Sequence, residues 1–152
     1  MRALPLWQPW GHWIMQGVKR KETRPRSIST LVGERIVIHA TASEPLAARA
    51  KAVKAALDAA IPLPDLDKLP HGALLGTVRV VDMERMTRVF VQWMREHHPH
   101  EYALGNYEVG RWAFTLAEPR PFPVPVPWKG SQGVFMVPGD VVRRAELGLG
   151  VL

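Results

Sequence analysis

Cysteine is absent from all 152 residues, which excludes a disulfide framework, a thiolate metal site and a cysteine nucleophile. No apolar run approaches the roughly 18 residues that a membrane span needs. Met1 to Trp7 also lacks the apolar stretch of a secretory signal, so a cytoplasmic protein without membrane attachment is expected. No Walker motif, dinucleotide fingerprint, nucleophile elbow or zincin motif is present, which disfavours nucleotide hydrolysis by those routes. Glycine (12) and proline (14) stay below the level that marks low-complexity sequence, while hydrophobic residues at 47% suffice for a core. One domain spanning 1–152 is the expectation, with no cofactor and no metal.

The net charge of +6 is local. Residues 1–40 carry seven basic groups against Glu22 and Glu34, whereas the other 112 residues carry 13 against 12. Five of the seven fall between Lys19 and Arg26, which points to one anion-facing strip. A solvated surface is the plainer reading of the same run.

Met1 to Leu6 reads as a strand. Gln8 to Gln16 reads as a helix, with Pro9 in its first turn, Gly17 just past its end and Gln8 a poor cap. Lys19 to Arg24 alternates as a strand does, placing Lys19, Lys21 and Thr23 on one face and Arg20, Glu22 and Arg24 on the other. Ile36-Val37-Ile38 marks a buried strand ending at His39. The alanine-rich stretch Glu44 to Ala60 predicts a helix capped by Ser43, with Leu46, Val53 and Leu57 inward. A loop with Pro62, Pro64 and Pro70 precedes a strand over 73–82 and a helix over 84–96, in which Trp93 joins the core. Residues 99–110 read as a loop and 111–118 as a strand. Pro121, Pro123, Pro125 and Pro127 put every missing N–H on one side of an extended segment, which must therefore be an edge. A turn at Gly130–Gly133, a strand over 134–137 and a helix over 138–147 complete an α+β chain of short strands with inserted helices. This suggests a partly closed β-barrel.

Leu6-Trp7-Gln8-Pro9-Trp10, then Gly17-x-Lys19-x-x-Glu22-x-Arg24, then Ile38-His39-Ala40 resemble, in that order, the ASCH (activating signal cointegrator homology) domain. Gly105-x-Tyr107-x-x-Gly110-Arg111-Trp112-Ala113 and Trp128-x-Gly130-x-Gln132-Gly133-x-Phe135 look like its closing strands. The resemblance implies a PUA-like barrel whose cleft the motif residues line, in a superfamily associated with RNA and modified nucleosides. It also implies two enzymatic precedents, RNA cleavage and hydrolysis of N(4)-acetylcytidine through a lysine, a threonine and a glutamate. Lys19 matches that lysine, whereas Glu22 occupies the place of the threonine and Thr23 is one residue out.

Lys19 is thus a candidate phosphate clamp, or a base where burial lowers its pKa. Glu22 and Arg24 share a face and can pair, orienting the guanidinium toward a ligand or simply bracing the wall. Arg20, Lys21, Arg26 and Arg111 would attract phosphates without reading sequence. Trp7 and Tyr107 are candidate stacking platforms, with Trp10 assigned to the core. Lys129, Ser131 and Gln132 stand in a glycine-flanked turn able to donate to phosphate. Glu101 could supply the acid or base facing Lys19. The His97-His98-x-His100 cluster reads as helix-end histidines rather than metal ligands, and His39 as a core hydrogen-bonding group. The expected function is binding of RNA or a modified nucleoside in a basic cleft. The alternatives are a cleft hydrolase using Lys19 with Glu22 or Glu101, and a protein-interaction module whose edge near Val124 accepts a strand.

Overall fold

A computed structural model describes residues 1–150. In chain order it contains β1 (Arg2–Leu6), α1 (Trp10–Met15), β2 (Lys21–Arg24), β3 (Arg35–Ala40), α2 (Leu46–Ala59), β4 (Ala73–Arg85), α3 (Arg88–His97), α4 (Pro99–Ala103), β5 (Trp112–Pro127), β6 (Phe135–Met136) and α5 (Gly139–Glu146). The strands form one mixed sheet in the order β2-β5-β4-β3-β1-β6, and β1 with β3 is its parallel pair. No helix among the described residues is long and apolar enough to cross a membrane.

The sheet is open, which corrects the partly closed barrel expected from the sequence. β2 and β6 are its two ends, and neither can seal it. β2 pairs only with Trp112–Thr115 of β5, and β6 supplies two residues against β1. Beyond Thr115, β5 carries prolines whose missing N–H groups leave nothing to donate to a further strand. Its other side pairs with β4, through Gly76 opposite Pro121 and Leu74 opposite Val126, so the proline segment is an edge as expected.

β3 explains why the sheet needs cover on both faces. Ile36 and Ile38 join a core with Leu4, Ile14, Val78 and Phe114, while Val37 points to a second core with Leu74, Val126 and Val142. Helix α1 covers the first face and α5 the second. Gly17, at φ +73°, ends α1 in the left-handed conformation that suits glycine past a helix C-terminus. Gln8 proves more useful than a poor cap: its side-chain oxygen accepts the His12 N–H at 2.9 Å, and its amide donates to Pro70 O at 3.0 Å.

Three helical expectations change. Helix α2 starts after Pro45 with no side-chain cap, so Ser43 does not cap it. It also faces the other way, with Leu46 84% exposed and Val53 and Leu57 outward, while Ala48, Ala52, Ala55 and Ala56 are buried. Ala55 and Ala56 pack with Trp13 and Leu104, and a bulky indole at that interface requires small partners on the helix. β4 runs through Arg85, so the helix expected from 84 begins only at Arg88, where Thr87 Oγ1 accepts the Phe90 N–H at 3.1 Å. Trp93 is half-exposed, with its ring 4.6 Å from His98 and 5.7 Å from His97, while Met86 and Met94 take the core positions. The loop expected over 99–110 contains α4.

Candidate functional site

A cleft of about 1130 Å³ opens beside the end of β2. Its lining comes from the turn after β1 (Trp7, Trp10), from Lys19 and β2 (Glu22, Thr23, Arg24), from the 102–111 segment, from the Ser131–Gly133 turn and from α2. Three stretches distant in sequence, the lysine–glutamate–arginine motif, the Gly105–Arg111 segment and the Ser131–Gly133 turn, thus meet at one place.

Lys19 sits at the bottom, 2% exposed. Its Nζ donates to Lys21 O at 2.6 Å and to Leu104 O at 2.9 Å, and lies 3.9 Å from Glu22 Oε1. Burial drives its pKa down, and the negative charges of Glu22 and Glu101 oppose that shift without cancelling it. Regular pairing begins only at Lys21, so the strand alternation expected from Lys19 onward does not govern Lys19. Its ammonium therefore turns toward Glu22 rather than away.

Glu22 and Arg24 do share a face, with Glu22 Oε2 3.4 Å from Arg24 Nε. The Arg24 guanidinium donates through Nη2 to Pro5 O at 2.9 Å, which ties β2 to β1 across the cleft, while its buried Nε forms no hydrogen bond. Tyr107 is 6% exposed, stacked on Tyr102 at 5.4 Å, and its hydroxyl is likewise buried without a partner. Burial, and then the charges of Glu101 and Glu22, push that phenol above its ordinary range, so it stays a neutral hydroxyl. Arg111 is anchored through Nε to Asn106 O at 3.0 Å and through Nη2 to Thr23 O at 3.3 Å.

The Ser131–Gly133 turn is held by His39. Its Nε2 bonds Trp128 O at 2.9 Å, and its ring packs so closely that a Cβ on Gly130 would lie 2.4 Å from Cε1. Only glycine fits there, and the next three residues then reach the cleft. His39 is thus the core hydrogen-bonding group expected, although its Nδ1 is unpartnered.

Glu101 lies behind β2, where its carboxylate accepts the N–H of Arg20 at 3.0 and 3.1 Å and that of Lys21 at 2.7 Å. Arg20 lines a smaller cavity of about 380 Å³ that shares Lys19 with the main cleft. The Lys21 ammonium donates to Thr115 Oγ1 at 2.7 Å, and neither Lys21, Arg26 nor Lys129 lines the cleft. Trp7, 45% exposed, and half-buried Trp10 both line it. Among the described residues no three histidine, aspartate or glutamate side chains are grouped as a metal site requires. Sequence reasoning passed over Lys51, Lys54 and Asp58, which α2 brings to the opposite wall. Their spacing of three and four on one helical face was the available signal.

An open α+β sheet with a motif-lined cleft at one end defines the class of fold. Residues 4–125 match the model of the ASCH domain, and the chain belongs to that family. Among solved structures it is similar to the ASCH protein from Zymomonas mobilis, at 16% identity and a TM-score of 0.60 over 97% of this chain and 94% of that one. Two substituted forms of the Zymomonas mobilis protein, one serine-to-alanine and one tyrosine-to-phenylalanine, give TM-scores of 0.55 and 0.58, each at 16% identity and over 94% of this chain. The coverage of those two chains is 92% and 94%. No curated protein matches.

Proposed function

We propose that this protein binds RNA or a modified nucleoside in the cleft. The observation that carries this reading is a buried hydroxyl in its lining with no partner, that of Tyr107, beside a buried Arg24 Nε that makes no hydrogen bond and has only the Glu22 carboxylate at 3.4 Å. Leaving a buried hydroxyl unmet costs about 1–3 kcal/mol, so Tyr107 calls for a partner that enters the cleft, and Arg24 Nε has a donor to spare for it. A base edge supplies acceptors for both, and Trp7 offers an exposed ring against which a base can stack. The volume lies just above the roughly 300–1,000 Å³ of ordinary small-ligand sites, enough for a nucleoside and more.

A second reading, hydrolysis, is favoured by one specific observation: Lys19, its pKa lowered by burial, faces Glu22 at 3.9 Å. A lysine whose hold on its proton is weakened by burial, beside a carboxylate, can form an acid–base couple. Glu22 suits that duty better than Glu101, because it lies 3.9 Å from the Lys19 Nζ and accepts one backbone N–H, that of Thr23 at 3.1 Å, whereas Glu101 accepts those of both Arg20 and Lys21.

Tryptophan fluorescence of the whole protein, titrated with short single-stranded RNA and separately with modified nucleosides, tests the reading. The expected result is saturable binding that weakens about ten-fold in Tyr107→Phe, which keeps the ring and removes only the hydroxyl. Equal binding by Tyr107→Phe, or no binding of either ligand by a folded wild type, would overturn it. Cleavage that is lost in Lys19→Met, with thermal unfolding as the folding control, would add the hydrolytic role.

A further inference from the structure

The cleft wall contributed by α2 belongs to none of the motifs that define the lysine–glutamate–arginine face. Five cations and three carboxylates line the cleft, and most of them cancel locally. Glu22 is paired with both Lys19 and Arg24, and Asp58 is paired with Lys54. Two cations are left without a carboxylate among the described residues, Lys51 on α2 and Arg111 on the 105–111 loop, against one carboxylate that makes no ion pair there, Glu108. Lys51 makes no side-chain hydrogen bond or ion pair there at all. Arg111 spends two of its five N–H donors on Asn106 O and Thr23 O, which fixes the plane of the guanidinium and leaves the rest for a ligand. A fixed fork on one element and an exposed, unpaired ammonium on another, lining one cleft, suit a tetrahedral anion better than a neutral ring.

We propose that Lys51 and Arg111 form a phosphate subsite, so that the cleft takes a phosphate-bearing nucleotide unit in preference to a neutral nucleoside. This rests on the nucleoside-type reading of the cleft. It adds which ligand class is preferred and makes α2 a recognition wall. A free nucleotide and a phosphate within an RNA strand share this chemistry.

The test uses the whole protein at low and at physiological salt, with four probes: inorganic phosphate, a nucleoside, its 5′-monophosphate and a four-nucleotide single-stranded RNA. Wild type should prefer the monophosphate over the nucleoside by about ten-fold or more, the worth of one hydrogen bond to a charged group. Lys51→Gln, an exposed and conservative change, should reduce that preference to about three-fold, and Lys51→Arg should restore it. Tighter binding of the tetranucleotide, with a log–log salt slope that falls by about 0.7 in Lys51→Gln, assigns the phosphate to a strand. A tetranucleotide no tighter than the monophosphate assigns it to a free nucleotide. A wild type that binds nucleoside and monophosphate equally, or a preference untouched by Lys51→Gln, overturns the subsite and leaves nucleoside binding standing. A folded wild type that binds none of the nucleoside-containing probes overturns both.

Discussion

Lys19→Met isolates the one buried ammonium of the cleft. Methionine keeps most of the aliphatic stem and its packing, so the change is chiefly the loss of the charge and its N–H donors. Two carbonyl oxygens, of Lys21 and Leu104, then lose donors at 2.6 and 2.9 Å. A buried acceptor left unmet costs about 1–3 kcal/mol. The Glu22 carboxylate also loses a cation at 3.9 Å, although Arg24 at 3.4 Å still compensates it. The expected loss is about 2–5 kcal/mol near neutral pH, from two carbonyl acceptors left unmet at about 1–3 kcal/mol each. A pH dependence accompanies it. The pKa of Lys19 is lower in the folded chain than in the unfolded one, so between the two values the unfolded chain holds more protons and stability rises with pH. Urea unfolding followed by tryptophan fluorescence should therefore show wild type gaining on Lys19→Met as the pH rises toward the ordinary lysine range. The scan stops below the phenol range of about 10, because the raised pKa of Tyr107 adds the opposite slope there. A loss under about 1 kcal/mol, or a difference flat with pH, would refute the account of Lys19 as a desolvated donor to two carbonyls.

Two further pairs of substitutions test other parts of the structure. In α2, Leu57→Lys should leave stability within about 0.5 kcal/mol, whereas Ala52→Leu should cost about 1–3 kcal/mol by overpacking; chemical denaturation of both reverses this order if the leucines face inward. Glu101→Ala should cost about 1–3 kcal/mol by freeing the Arg20 and Lys21 N–H groups. Glu101→Gln should recover most of that, since its amide oxygen still accepts. A glutamine variant that folds normally yet loses RNA cleavage would return Glu101 to acid–base duty.

The strands and the order of motifs were legible in the chain because they depend on local pattern. The β-branched run at Ile36–Ile38, the prolines at every second position from Pro121 and the glycine after α1 each act through backbone geometry that neighbours cannot change. The spacing of Glu22 and Arg24 likewise put both on one face, and they meet at 3.4 Å. Trp7, Tyr107, Ser131 and Gln132 could be grouped only by resemblance, and the fold brings them to the same cleft.

What tertiary structure alone decided was direction and closure. Helix α2 has large apolar residues on one side and alanines on the other, and periodicity favours burying the larger side. Trp13 and Leu104 leave room only for alanine, so Leu46 and Leu57 turn outward and Lys51 turns to the cleft. Lys19 is charged and sits in a basic strip, yet it is buried because two carbonyls and a glutamate distant from it or turned toward it only in the fold supply its partners. The sheet stays open because closure depends on whether the end strands can pair, and β2, β6 and the proline edge of β5 are respectively too short, too short and without donors. Local pattern determines which residues can form strands and helices; the partners available at each surface determine which way those elements face.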